Sequence, residues 1–269
     1  MSKIQIIADG GGTTTNWCSL QAGRRSYFSL ESYHPSFWNS EFEERIKAYW
    51  NSKFKLSEVE LIFFGAGCYR LDKRMEAEEM FKRIGFTDVS VLSDLHAAGF
   101  SSLGKQSGWV AIAGTGSVLF NWSGSDVLEV VGGKGRELGD EGSGHYFGKL
   151  VFEAFESNEL EGDQLDLLLD RISKHDLEVL KIETRFSELS SLLVNDQGLF
   201  SEFHEQSIRL FFDSYLNSGS VSHIQMIGGY AWHLRLVFSK IAKEYNVKID
   251  GVINEPIEPL VDQIALFTE

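Results

Sequence analysis

The sequence is poor in proline, cysteine and positive charge. Three prolines in 269 residues is about 1%, against a usual ~5%, which excludes stiff, proline-rich linkers. The two cysteines, Cys18 and Cys68, are too few for a disulfide framework. Both sit in apolar runs and read as buried thiols of a reducing compartment. Basic residues number 25 and acidic ones 39, a formal charge of −14. A field of that sign repels phosphate backbones and argues against nucleic acid as a general partner. No stretch approaches the ~18 apolar residues of a membrane span. The apolar opening, Ile4 to Ala8, is too short for the core of a signal peptide. Together these absences predict a cytoplasmic globule with no membrane partner.

Several chemical signatures are missing as well. No G-x-x-x-x-G-K-[ST] loop occurs, so a Walker-type nucleotide site is excluded. No G-x-G-x-x-G follows a strand, which leaves a dinucleotide fold without support. The seven histidines form no HxxxH or HxxH pair, so a structural zinc site has no basis. A G-x-S-x-G nucleophile elbow is absent too.

What is abundant is glycine, at 26 residues or about 10% against ~7%, and its placement is informative. Ile4 to Ala8 reads as a strand buried on both faces. Gly10-Gly11-Gly12 bends the chain into a second strand, Thr14 to Leu20, and Ala22-Gly23 bends it again toward Ser26-Tyr27-Phe28. A helix over Glu41 to Ser52, a strand Leu61 to Phe64, a helix Asp72 to Ile84 and a strand Val89 to Leu92 follow. The Ser/Gly stretch Ser101 to Gly108 marks a boundary, and beyond it the opening recurs. Trp109 to Ala113 is apolar, Gly114-Thr115-Gly116-Ser117 bends, and Val118 to Trp122 is a strand. Laying Asn16-Trp17 on Asn121-Trp122 gives two copies of one device, which predicts a duplicated unit. Gly142 to about Asn217 is helical, Ile224 to Ile227 is a strand stopped by Gly228-Gly229, Ala231 to Tyr245 is a helix, and Pro256 opens a last helix. The expectation is an α/β protein of two similar lobes with a cleft between them. The N-terminal lobe takes residues 1–103 and the returning helix 256–269, and the C-terminal lobe takes 104–255.

Two Gly/Thr bends at equivalent points of two lobes suit a phosphate clamp, because glycine admits a bulky anion and consecutive N–H groups form a donor nest. Thr13, Thr115 and Ser117 add hydroxyls. Each bend alone is equally a glycine-permitted turn. Asp9 lies directly against the first bend, and a carboxylate there calls for an intervening cation, Mg²⁺ held through water; a turn-capping aspartate is the other reading. Asp94 stands after a strand and before a helix, where α/β proteins place ligands and where helices also take N-caps. Gly139 to Gly144 sets Asp140 and Glu141 among glycines before a helix and reads as a ligand-facing loop, while Gly228-Gly229 is open to a ribose or to a simple turn.

In order along the chain, Asp9-Gly-Gly-Gly-Thr13 through Trp17, Phe64-Gly-Ala-Gly-Cys68, Asp94, Gly114-Thr-Gly-Ser117, Leu138-Gly-Asp-Glu-Gly-Ser143 and Ile227-Gly-Gly229 resemble the N-acetylglucosamine kinases. The bacterial branch it looks like is grouped with the BadF/BadG/BcrA/BcrD ATPase activators, within the sugar-kinase, actin and heat-shock-chaperone superfamily. The resemblance implies two ribonuclease-H-like, actin-like ATPase lobes around a central nucleotide cleft, with ATP and Mg²⁺ as cofactors and a small-molecule sugar as partner. It implies that Gly11, Gly12, Thr13, Thr115 and Gly116 hold phosphates, that Gly228 and Gly229 border the adenosine, and that Asp9 organises Mg²⁺. It makes Asp94 the base for the sugar hydroxyl and puts His34, Asp94, Thr115 and Asp140 in the sugar site, leading to a 6-phosphate. A homodimer is left open. The sequence departs from the family at His34, where relatives carry asparagine, at Gly229 in place of a serine, and at Lys134 and Arg136 in place of an apolar loop. A non-catalytic sugar or nucleotide sensor and an ATPase that activates a partner reductase are the alternatives.

Overall fold

The computed structural model describes residues 4–135, 138–216 and 221–268, with side chains up to residue 264. The chain divides into two compact units. One takes the residues up to Lys105, the short segment Gly124–Asp126 and the chain from Pro256 on; the other takes Gln106–Ser123 and Val127–Glu255.

The first unit is built on a five-stranded sheet in the order β3-β2-β1-β4-β5. Its strands are β1 (Ile4–Gly10), β2 (Thr14–Gln21), β3 (Arg24–Glu31), β4 (Val59–Gly65) and β5 (Asp88–Ser93). β1 pairs antiparallel with β2 and parallel with β4. It is therefore central and covered on both faces, which is why Ile6, Ile7 and Ala8 run together as apolar residues rather than alternating with polar ones. Helices α1 (Ser40–Lys53) and α2 (Leu71–Ile84) cover one face, with Trp17, Tyr33, Trp50, Phe63 and Phe81 in a fully enclosed aromatic core. Gly85, at φ +126°, ends α2 and lets Phe86 N–H reach back to the Phe81 carbonyl at 3.2 Å, a glycine C-terminal cap. Helices α3 (Asp94–Leu103) and α11 (Ile257–Thr268) pack on the other face over Ile7, Cys18 and Phe64.

The second unit repeats this topology, with the order β8-β7-β6-β9-β10. Its strands are β6 (Gly108–Ala113), β7 (Ser117–Trp122), β8 (Val127–Gly132), β9 (His223–Ile227) and β10 (Lys248–Ile253). In both sheets three antiparallel strands are extended by two parallel ones. The helices are α4 (Gly144–Glu156), α5 (Asp163–Arg171), α6 (Lys174–Ile182), α7 (Ser187–Leu193), α8 (Ser201–Tyr215), α9 (Gly229–His233) and α10 (Arg235–Glu244).

Three sequence expectations are corrected. The duplication is real in topology, but Asn16-Trp17 and Asn121-Trp122 are not equivalent. Trp17 pairs with Ala8 beside the first bend, whereas Trp122 pairs with Gly108 at the far end of its hairpin. The edge strands β8 and β10 escaped notice. β8 exposes Leu128 and Glu129, and β10 carries Asp250 and Gly251 with a register shift, residue types that strands disfavour. The helix read over Ala231 to Tyr245 is two helices broken at Leu234 (φ −102°, ψ 19°). Cys68 is buried as expected, in the turn after β4. Arg136, the opening residues Met1 to Lys3 and Asn217 lie outside the described residues.

Candidate functional site

In the first unit the chemistry gathers at the carboxyl ends of β1, β4 and β5. Asp9 is half-buried near the end of β1, in register with Asn16 on β2 and Phe64 on β4. The following bend is pinned on three sides. Gly11 N–H donates to the Thr14 carbonyl at 2.9 Å, Ala66 N–H to the Gly10 carbonyl at 2.7 Å, and the Ser32 hydroxyl to the Gly11 carbonyl at 2.8 Å. A Cβ built on Gly12 would meet nothing within 4 Å. Packing therefore does not demand glycine there, and the open space fits the close approach of a ligand to the backbone. Thr13 is exposed beside it.

The Thr15 hydroxyl accepts from Tyr33 N–H at 3.0 Å and so carries the Tyr33-His34 segment past the bend. His34 Nδ1 is held by Ser36, 3.2 Å from its N–H and 2.8 Å from its hydroxyl. Its other nitrogen, Nε2, faces Gly67, where an added Cβ would lie 2.7 Å away on a backbone with φ +78°. Glycine is required at that position on both counts.

Asp94 is the first residue of α3, and its Oδ1 accepts from Leu95 N–H at 3.0 Å. It keeps part of its surface accessible, yet the surrounding packing pushes its carboxyl up to about 6, desolvation outweighing the Leu95 hydrogen bond. The neighbouring Cys68 thiol is pushed up to about 12, by burial first and by the charge of Asp94 second. Hydrogen bonds, packing and charge thus link Gly11, His34, Gly67, Cys68 and Asp94 in one region of one unit. No group of three or more His, Cys, Asp or Glu able to hold a metal occurs among the described residues. A lone carboxylate such as Asp9 suits Mg²⁺ held through waters and phosphate oxygens, which that ion tolerates well.

In the second unit the bend Gly114 to Ser117 is locked to the loop Gly139 to His145. Gly144 N–H donates to the Gly114 carbonyl at 2.9 Å and His145 N–H to the Thr115 carbonyl at 3.0 Å. Asp140, buried and at φ +66°, accepts from Ser117 N–H at 3.1 Å. A Cβ on Gly116 would fall 2.9 Å from its carboxylate. The Ser117 hydroxyl donates to the Glu141 carbonyl at 2.6 Å and lies 3.1 Å from the Tyr215 hydroxyl. Gly142 N–H reaches the Ser207 hydroxyl at 3.2 Å. Gly228, at φ +119°, lies so close to β6 that a Cβ would be 2.6 Å from the Ala113 carbonyl, whereas a Cβ on Gly229 would touch Asn254 Oδ1 at an ordinary 3.9 Å. Thr115, Gly116, Asp140 and Gly228 are therefore neighbours. The carboxylate of Asp140 does work the sequence did not suggest, since it anchors the Gly/Thr bend. Ser32, Ser207 and Tyr215 were missed; each acts through a contact to a distant part of the chain, for which a single sequence carries no signal.

No family model matches the chain. In sequence it is 30% identical over 187 residues to an N-acetylmuramic acid/N-acetylglucosamine kinase of Clostridium acetobutylicum. The match takes in 62% of this chain and 60% of that protein, so the chain spans about three fifths of the relative's length. In structure it superposes on a candidate N-acetylglucosamine kinase of Porphyromonas gingivalis with a TM-score of 0.86, over 98% of this chain and 99% of that one, at 22% identity. A ROK-family glucokinase of Streptomyces griseus, in complex with glucose and AMPPNP, gives 0.57 over 98% of both chains at 16% identity. The fold is that of the sugar kinases. The α/β, two-lobed architecture read from the repeated Gly/Thr bends is thereby met. Among the described residues, no helix is long and apolar enough to cross a membrane.

Proposed function

We propose that the protein is a cytoplasmic kinase that transfers the terminal phosphoryl group of ATP to a hydroxyl of an amino sugar, N-acetylglucosamine first, giving the 6-phosphate. The observation that carries this reading is Asp94. It is a carboxyl at the end of a parallel strand, raised to about 6 by desolvation, in the same region as the pinned Gly11–Thr13 bend and His34. Phosphoryl transfer asks the protein mainly for positioning and charge neutralisation, with a carboxylate to receive the hydroxyl proton. A base poised near neutral pH suits that task. Gly11, Gly12 and Thr13 supply amides and a hydroxyl to phosphate, and Thr115 and Gly116 are candidates for the same task. Gly228 and Gly229 border the adenosine. Asp9 orients Mg²⁺ through water, and the bound ion supplies neutralisation of phosphate charge. His34 borders the sugar where relatives use asparagine, and Asp94 holds the reacting hydroxyl.

The relative's name adds N-acetylmuramic acid as a second substrate to try. The reductase-activator reading is not favoured. Cys18 and Cys68 are both buried, and in different cores of the unit, so they form no cysteine pair of the kind an iron–sulfur cluster takes. The test is ADP release with ATP, Mg²⁺ and a panel of amino sugars, wild type against Asp94→Asn. Sugar-dependent release that the substitution abolishes is the expected result. Nucleotide binding without turnover on any sugar would instead favour a sensor.

A further inference from the structure

Ser93 occupies the N-cap of α3, where a serine hydroxyl ordinarily accepts from the first-turn amides. Here it makes no such cap. Its Oγ lies 2.8 Å from Nδ1 of His96, and Nε2 of the same ring lies 3.1 Å from Oδ1 of Asp126. Ser93 is fully enclosed and His96 nearly so, whereas Asp126 is exposed at the turn between β7 and β8. That turn belongs to the first unit. Gly124, at φ +100°, seats it against the Lys105 backbone, where an added Cβ would lie 2.9 Å from the carbonyl carbon. Burial lowers the pKa of His96, so the ring is neutral near pH 7, with one donor and one acceptor nitrogen. A carboxylate can only accept. Nε2–H therefore donates to Asp126, and Nδ1 accepts from the Ser93 hydroxyl. The hydroxyl proton is thus committed to His96, its oxygen makes no cap bond, and Leu95 N–H donates instead to Oδ1 of Asp94. The other oxygen of Asp94 remains for a substrate.

We propose that Asp126, acting through His96 and Ser93, is a positioning residue for Asp94, fixing the start of α3 and the orientation of the carboxylate. The chain is not a nucleophilic triad, because Ser93 is sealed from solvent. The proposal rests on the reading of Asp94 as the base. Among the described residues, Asp126 and Arg74 on α2 act on His96, and the Cys68 thiol lies beside Asp94.

The test compares His96→Ala, Asp126→Ala and Asp126→Asn with wild type, reading kcat, KM for sugar and ATP, the acid limb of the kcat/KM–pH profile, and the thermal midpoint. The two alanine variants are expected to lose about tenfold in kcat, equivalent to ~1.4 kcal/mol, with KM for ATP unchanged. Their acid limb should move below that of wild type as Asp94 turns toward solvent. Asp126→Asn keeps an oxygen acceptor for His96 and should recover most of the rate. If His96→Ala fails to fold, Ser93→Ala breaks the chain from its other end and should give the same split. Wild-type kcat and an unmoved acid limb in a folded variant would overturn the proposal, as would a rate loss equal to the loss of folded protein. Asp94→Asn separates the two ideas. If it is inactive while the chain variants are normal, only the positioning role fails; if it is fully active, the base assignment falls and this proposal with it.

Discussion

The carboxyl of Asp94 is held where its ionised form is disfavoured, and that has a thermodynamic sign. Its folded-state pKa of about 6 lies above the ordinary ~3.9 of an unfolded aspartate. The native state therefore binds the proton more tightly. Stability from this group is fully present below about pH 4 and is lost as pH rises through about 6. Asp94→Asn removes the charge but keeps an oxygen for Leu95 N–H. It is expected to stabilise the protein at pH 7 by on the order of 1–3 kcal/mol, a gain that vanishes toward pH 4, while abolishing transfer. Denaturant melts across pH check this, and a simple helix cap would show no such gain. With Asp94 as the proposed base, kcat/KM for the sugar should fall tenfold per pH unit below about 6. His34 tests recognition separately. His34→Ala is expected to raise KM for the sugar about tenfold, ~1.4 kcal/mol, and to leave KM for ATP unchanged, as steady-state kinetics would show.

The bend from Gly114 to Ser117 and the loop from Gly139 to His145 behave as one element, because their amides and carbonyls are spent on each other. Asp140 is the keystone, held at φ +66° with its carboxylate on Ser117 N–H. Asn tolerates that backbone and keeps the acceptor, whereas Ala does neither. Asp140→Ala is expected to cost about 1–3 kcal/mol through the orphaned buried amide and to raise KM for ATP, with Asp140→Asn near wild type in stability. Equal destabilisation by both variants would refute the role. The bends themselves were legible in the sequence because glycine clusters between apolar runs have few other uses. The partner of Asp140 was not, because Ser117 lies 23 residues away and the contact arises only when two loops fold together. β8 and β10 were lost for a different reason. As edge strands they carry exposed residues such as Glu129 and Asp250, which blur the buried-strand pattern that made β1, β4 and β6 readable.

At the scale of the whole chain, the first unit is completed only by its last segment. α11 returns after residue 255 to cover Ile7, Cys18, Phe64 and Ala97 with Ile257, Leu260, Val261 and Ile264. The Ser101 hydroxyl reaches the Pro256 carbonyl at 3.1 Å, and Gly104 leaves no room for a Cβ beside Gln263. α11 thus braces α3, whose first residue is Asp94, so a helix remote in sequence bears on the carboxylate proposed as the base. Leu260 is fully buried, and Leu260→Ala should cost about 2–5 kcal/mol. The two cysteines report where that cost falls. Cys18 lies under α11, while Cys68 lies in the aromatic core beneath α1 and α2. If α11 lifts as a local unit, Leu260→Ala will speed the reaction of Cys18 with a thiol reagent far more than that of Cys68. Equal acceleration at both thiols would mean that α11 and the aromatic core open together, and α11 would then be an integral part of one cooperative unit rather than a separable brace.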